Sequence, residues 1–213
     1  MSDAEAILAF WFGRGADDPA EAAARERFWF GASREADERV RERFAPVVEA
    51  AAGGELDGWL ESPRAALALV VLLDQFPRNL WRGTARAFSL DAQASKAARA
   101  ALERGHLQAL SPVERAFLVL PLQHSESLSA QRESVRLSAD IARNAPAAWR
   151  PLLEHYLGFA REHLALIERF GRFPHRNRAL GRASTPEEEA HLRGGGAAFG
   201  QGGPPADRPE SPT

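Results

Sequence analysis

Residues 149–170, WRPLLEHYLGFAREHLALIERF, place Trp149, Leu153, Tyr156, Ala160, His163, Ile167 and Phe170 at alternating steps of four and three. That rhythm follows one face of an α-helix and predicts a helix with a continuous buried stripe. The same period recurs elsewhere. Val40, Phe44, Val47 and Ala51 share a face in 33–52, the stretch 64–75 is apolar enough to be a buried helix, and 89–103 and 126–143 read the same way. Punctuation agrees with periodicity. Ser62-Pro63 supplies an N-cap and a first-turn proline, while Ser111-Pro112-Val113-Glu114 and Thr185-Pro186-Glu187-Glu188 fit the capping box. Segments 3–12 and 19–30 both finish in Phe-Trp-Phe-Gly (10–13 and 28–31), with a glycine suited to a left-handed cap. These lie too close together for a solenoid unit and read as two similar helix ends. Pro121 is expected to kink or end the helix opened at Ser111. No stretch alternates as a strand should. The expected fold is all-α: a single domain over residues 1–193, with about eight or nine helices in antiparallel hairpins. A disordered tail is expected at 194–213, where six Gly and four Pro occur in twenty residues.

The chain has 213 residues, 45% of them hydrophobic, enough for a sizeable core. Its longest purely aliphatic run, 65–73, is nine residues, well below the roughly 20 needed to cross a bilayer. The acidic start, Met-Ser-Asp-Ala-Glu, is unlike a secretory signal, so the expected location is cytoplasmic, without membrane association. With no cysteine, disulfides, thiolate metal sites and a cysteine nucleophile are excluded. A net charge of −2 gives no global field toward nucleic acid. No metal or cofactor is expected: Walker, Rossmann and HExxH patterns are absent, and His155 and His163 lie about 80° apart around a helix.

Three polar segments interrupt the apolar pattern, each at or near a helix end: 74–83 (DQFPRNLWRG), 121–126 (PLQHSE) and 169–182 (RFGRFPHRNRALGR). The first and third share Phe-Pro followed by Arg-Asn, at 78–79 and 176–177. A weak internal duplication and the same turn arising twice are both open readings. The third holds five arginines, one histidine and no acid. Guanidinium forks match carboxylate or phosphate, so the run reads either as a ligand site or as arginines pairing with acids elsewhere, such as Asp74 or Glu126. His163, on the buried stripe, is either a satisfied core histidine or a titratable pocket group. His124-Ser125-Glu126 lacks the context of a nucleophile elbow, which argues against Ser125 as a nucleophile.

These segments, together with 7–13 (ILAFWFG), 29–31 (WFG), 54–59 (GELDGW), 72–83 (LLDQFPRNLWRG), 84–88, 120–131 (LPLQHSESLSAQ), 169–177 (RFGRFPHRN) and 180–188 (LGRASTPEE), resemble the mostly bacterial family called domain of unknown function 924. The likeness spans roughly residues 5–192. It implies an all-α fold similar to tetratricopeptide superhelices and carries no established activity. Ser127 departs from the family, where Asp often stands.

If stacked hairpins bring alternate helix ends to one edge, Asp74, Gln75, Arg78, Asn79, His124, Glu126, His163, Arg172, His175, Arg176 and Asn177 line one concave site. Arg78, Arg172 and Arg176 would clamp a small anionic metabolite or an acidic chain end, and Asn79 and Asn177 would orient it. His124, His163 and His175 are the acid–base candidates, with catalysis itself left open. The alternative is a tetratricopeptide-like interaction scaffold binding peptides through aromatics near Trp11, Trp29 or Trp81. Less favoured is RNA binding through 169–182, with Phe170 and Phe173 interleaved. Oligomeric state is open.

Overall fold

The structure, a computed structural model, describes residues 3–196 and Phe199; most of the tail expected at 194–213 lies outside them. Among the described residues every regular element is helical. The α-helices are α1 (Asp3–Phe12), α2 (Pro19–Phe30), α3 (Arg34–Ala52), α4 (Pro63–Asp74), α5 (Phe76–Leu80), α6 (Asp91–Glu103), α7 (Pro112–Gln123), α8 (Leu128–Asn144), α9 (Arg150–Phe170) and α10 (Pro186–Arg193), joined by short loops and 3-10 turns.

Helix α4 is the axis of the packing. Ser62 enters it in an extended conformation, Pro63 takes the first turn, and every residue from Ala66 to Asp74 is buried. A helix apolar all round must be covered all round, and α1, α3, α6 and α7 surround it. From α7 the chain continues through α8 and α9, each packed on its predecessor. In α9 the buried face carries Leu152, Leu153, Leu157, Ala160, His163, Leu166 and Ile167, and Tyr156 and Phe170 lie at its margin. Gly171 closes this helix at φ +69, a left-handed position, and its amide donates to the Ile167 carbonyl. No helix among the described residues is long and apolar enough to cross a membrane.

One local expectation is met to within two residues and one is corrected. Helix α7 includes Pro121 and ends at Gln123. Gly31 is extended, φ −77 and ψ 148, not left-handed. A Cβ at Gly31 would stand 2.3 Å from the Arg27 carbonyl oxygen, so close backbone approach is what requires glycine there.

The two Phe-Trp-Phe-Gly ends meet. Trp29 Nε1–H donates to the Trp11 carbonyl at 2.8 Å, and Arg25 donates to the Trp11 and Phe10 carbonyls at 3.0 and 2.7 Å. These bonds satisfy carbonyls that the end of α1 leaves without partners. Trp11 itself is fully buried, with Phe28, Phe76 and Phe117 at ring distances of 5.4, 5.3 and 6.1 Å. Trp11→Ala is therefore expected to cost about 3–5 kcal/mol of folding stability, read as a lowered urea midpoint. A loss below about 1 kcal/mol would show that this cluster does not organise the core.

Candidate functional site

Helices α4 and α7 end side by side. Asp74, the last residue of α4, is completely buried. It accepts from His124 Nδ1–H at 2.8 and 3.0 Å and from Gln75 Nε2 at 2.5 Å, with Arg78 at 3.5 Å. Burial alone would raise the Asp74 carboxyl, but the charges of His124 and Arg78 and the bonds from His124 and Gln75 hold it down at about 2. An ionised Asp74 fixes the His124 tautomer: the proton sits on Nδ1 and Nε2 keeps its lone pair. Burial and the Arg78 charge lower the His124 imidazole, with Asp74 opposing them.

A second aspartate joins the arginines. Asp91, the first residue of α6, meets Arg78 Nη2 at 2.9 Å through one oxygen and Arg176 Nη1 at 2.8 Å through the other. Each guanidinium also covers a helix end: Arg78 Nη1 donates to the Asp74 carbonyl at 2.5 Å, and Arg176 Nη2 to the His124 carbonyl at 3.0 Å. The two Phe-Pro turns thus converge on one carboxylate. Beside them Arg82 grips Asp37 of α3 with two bonds of 2.8 Å, and Asn79 donates to the same carboxylate at 2.8 Å.

These groups border a cavity of about 270 Å³. One wall is polar: Gln75, Arg78, Asn79, Arg82, Gln123, His124, His163, His175 and Arg176. Aromatic and apolar groups complete the lining: Trp29, Phe30, Phe117, Leu120, Tyr156, Phe159 and Phe199, with Ser138 among them and Phe88 lying against the Arg78 and Arg176 guanidiniums. Phe30 stacks on Phe117 at 5.8 Å and meets Tyr156 edge-on at 5.9 Å. His163 donates from Nδ1 to the Phe159 carbonyl at 2.8 Å, so its Nε2 also keeps a lone pair. Burial first, then the charge of His124, pushes His163 well below its ordinary range. Burial, Arg176 and Arg78 push His175 down to about 3. The cavity therefore presents neutral imidazoles at neutral pH. Three buried nitrogens of lining residues, Arg78 Nη2, His175 Nδ1 and Arg176 Nε, have no hydrogen-bond partner among the described residues, though Arg78 Nη2 stands in its ion pair with Asp91.

Of the candidate residues, Gln75, Arg78, Asn79, His124, His163, His175 and Arg176 share this wall, and Asp74 stands one layer behind it. Glu126, Arg172 and Asn177 lie outside the wall that the described residues form. They belong to a neighbouring network. Arg182 grips Glu126 at 2.7 and 2.9 Å, and the Phe173 amide donates to Glu126 at 2.8 Å. Arg172 grips Glu188 at 2.7 and 2.8 Å, and Asn177 donates to Glu188 at 3.2 Å. Arg169 pairs with Glu187. The arginine run is acid-free in sequence only: four of its five cations find carboxylates in space. An anion clamp including Arg172 is replaced by a lock between the 171–182 loop and α10. Sequence reading missed Asp37 and Asp91, which look like ordinary first-turn acids, and Phe30 and Phe117, which look like core; Trp29 entered it only as a peptide-binding aromatic. No group of three or more His, Asp or Glu that could hold a metal occurs among the described residues.

Fold and site together define a class: a protein whose described residues are helical and line a cavity with histidine, arginine and aromatic side chains. The family described as bacterial protein of unknown function (DUF924) matches residues 7–196, and the chain belongs to that family. It is similar to a protein of unknown function from Agrobacterium tumefaciens, with 41% identity, a TM-score of 0.75, and coverage of 90% of this chain and 97% of that one. No curated protein of established function matches it significantly.

Two outcomes follow from the charges. Asp91→Ala leaves two nearly buried guanidiniums sharing no carboxylate and is expected to cost about 3–5 kcal/mol, whereas Asp91→Asn, which retains an acceptor, costs less; urea unfolding measures both. Equal stability for wild type and Asp91→Ala would remove Asp91 from its bridging role. The unfolded chain takes up protons on its histidines below about pH 6.5, while the folded protein holds His163 well below that range and His175 at about 3, so that both stay neutral. Stability is therefore highest above that pH and falls on acidification, by up to about 1.4 kcal/mol per pH unit for each such imidazole. Asp74, at about 2, keeps its contribution until far lower pH. Unfolding free energies at pH 7, 6 and 5 check the slope, and His175→Gln should flatten it by about one imidazole's share.

Proposed function

We propose that the protein binds a small amphipathic molecule in this cavity, with an anionic or acidic head against the histidine–arginine wall and an apolar body against the aromatic one. The observation that carries this reading is that convergent histidine and arginine groups and several aromatic rings line one space together. Concave sites with an apolar lining and a few convergent polar groups are where small molecules bind. Arg78 and Arg176 approach the head as members of ion pairs with Asp74 and Asp91. Their excess charge is small, so recognition rests on hydrogen-bond geometry: guanidinium edges donate, and the Nε2 lone pairs of His124 and His163 accept. A head carrying both an acceptor and an O–H satisfies both kinds of group.

The Asp74–His124 pair adds a chemical capability. Nε2 of His124 can take a proton from a hydroxyl or a water held at the polar end, and the carboxylate behind it stabilises the resulting imidazolium. Binding is the proposed function, and proton abstraction by His124 is the chemistry that the site equips it for.

The peptide-scaffold reading loses two of its three anchors, since Trp11 and Trp29 are 0% and 5% exposed. RNA binding through 169–182 loses its stacking ring at Phe173, also fully buried, and most of its free cations.

A thermal-shift screen with carboxylates, phosphates and nucleotides at millimolar concentration tests the proposal. A true ligand at a hundredfold excess over Kd should raise the midpoint by about 5–10 °C. His124→Gln should retain the fold and lose most of that shift. If no compound of these classes moves the wild-type midpoint, the cavity is not the binding site proposed.

A further inference from the structure

Phe199 is an unusual member of the cavity's lining. The other walls come from helices and turns between α2 and the 3-10 turn Pro174–Arg176. Phe199 reaches the cavity from beyond α10, and it lies past residue 196, where the match to the family ends. Its ring lies flat on the His163 imidazole, with centroids 3.6 Å apart and planes 24° from parallel, and meets His175 edge-on at 5.6 Å. On its edge His163 is braced by Phe173, 5.5 Å away at 80°. Phe199 is also the one non-glycine residue with positive φ, +46, among those described. A left-handed conformation is unfavourable for an aromatic L-residue, so the ring contact outweighs an adverse backbone.

A flat aromatic group against a neutral imidazole is good chemistry for a stacked pair. The His163 face is held open for it: Nδ1 is tied to the Phe159 carbonyl at 2.8 Å and the edge is packed, which fixes the ring plane. Next to the stack, His175 Nδ1 is a buried polar atom with no partner. Buried polar atoms are ordinarily satisfied. An apolar phenyl leaves this one unsatisfied, whereas a ring bearing a polar substituent would not.

We propose that the His163 face is the subsite for a planar aromatic ring of the ligand, and that Phe199 occupies it as a stand-in when no ligand is bound. This rests on the cavity reading above and narrows it: the ligand is an aromatic acid or aryl phosphate, its ring stacked on His163 and its head directed to His124 and Arg176. A tethered Phe199 competes with such a ligand, so its removal strengthens binding.

The experiment measures, by calorimetry or NMR titration, the Kd of benzoate and phenyl phosphate against their cyclohexyl counterparts, which match them in charge and nearly in size but cannot stack. Full-length wild type and Phe199→Ala are compared; the substitution touches no helix. The aryl member of at least one pair is expected to bind about two- to tenfold more tightly than its saturated partner, the range aromatic pairing gives. Phe199→Ala should tighten that aryl probe several-fold and keep its preference, and the probe should shift the His163 ring proton resonances. If saturated and aryl probes bind alike, the ring subsite is overturned while the cavity reading stands. If Phe199→Ala weakens the aryl probe or leaves it unchanged, Phe199 is wall and no stand-in, and the inference falls. If no probe binds either protein, both readings fall together.

Discussion

Asp91 stands at the first turn of α6, and two guanidiniums reach it from turns almost a hundred residues apart in the chain. Each of those guanidiniums also lies over a carbonyl at a helix C-terminus, Arg78 over α4 and Arg176 over α7. The arrangement satisfies helix electrostatics three times over: a carboxylate at an N-terminal end, and cations at two C-terminal ends. It costs desolvation, because Arg78 and Arg176 are nearly buried, and each guanidinium has to keep its carboxylate. That pairing also makes it specific. Any other register of α4, α6 and α7 would strand a charge in the interior, so this knot fixes which helix ends meet and hence where the cavity opens.

Two short sequence words occur twice in this chain, and in both cases the copies find each other in space. The Phe-Trp-Phe-Gly ends of α1 and α2 interlock through the Trp29 indole and the Trp11 carbonyl. The Phe-Pro…Arg-Asn turns meet at Asp91. In each later turn position an arginine closes the motif on an acid: Arg82 on Asp37, Arg182 on Glu126. Whatever their history, both are apolar-proline turns that leave a helix and send a guanidinium over a helix end, Arg78 over that of α4, which its own turn leaves, and Arg176 over that of α7.

Helix stripes were legible because period and capping chemistry are local; the α9 stripe and the α4 core could be read directly, with errors of a few residues at their ends. Convergence of the polar turns followed from short loops between stacked helices. The partners of the arginines were not legible. Asp91, Glu188 and Asp37 are acids at helix starts, and nothing in the local pattern says which arginine will reach them, whether 16 residues off, as Arg172 is from Glu188, or 85, as Arg176 is from Asp91. The aromatic lining escaped for the opposite reason: Phe30 and Phe117 have the composition of a core, and a cavity wall differs from a core only in what is missing opposite it. Gly31 shows the same limit at atomic scale, since a close approach to Arg27 and a left-handed cap ask for the same residue.

From Ala66 to Asp74 helix α4 has no face turned to water, and its last residue carries the carboxylate behind His124. Local openings of a protein begin where few apolar contacts hold the backbone, and amides in fully enclosed elements exchange their hydrogens only when the whole domain opens. Asp74 therefore hangs from the best-enclosed part of the molecule, while His175 and Arg176 come to the same polar lining from the 171–182 loop, which is tied down through partly exposed ion pairs. The hydrogen bond that sets the imidazole's tautomer thus has its carboxylate anchored in the core, apart from the loop through which the cavity can loosen.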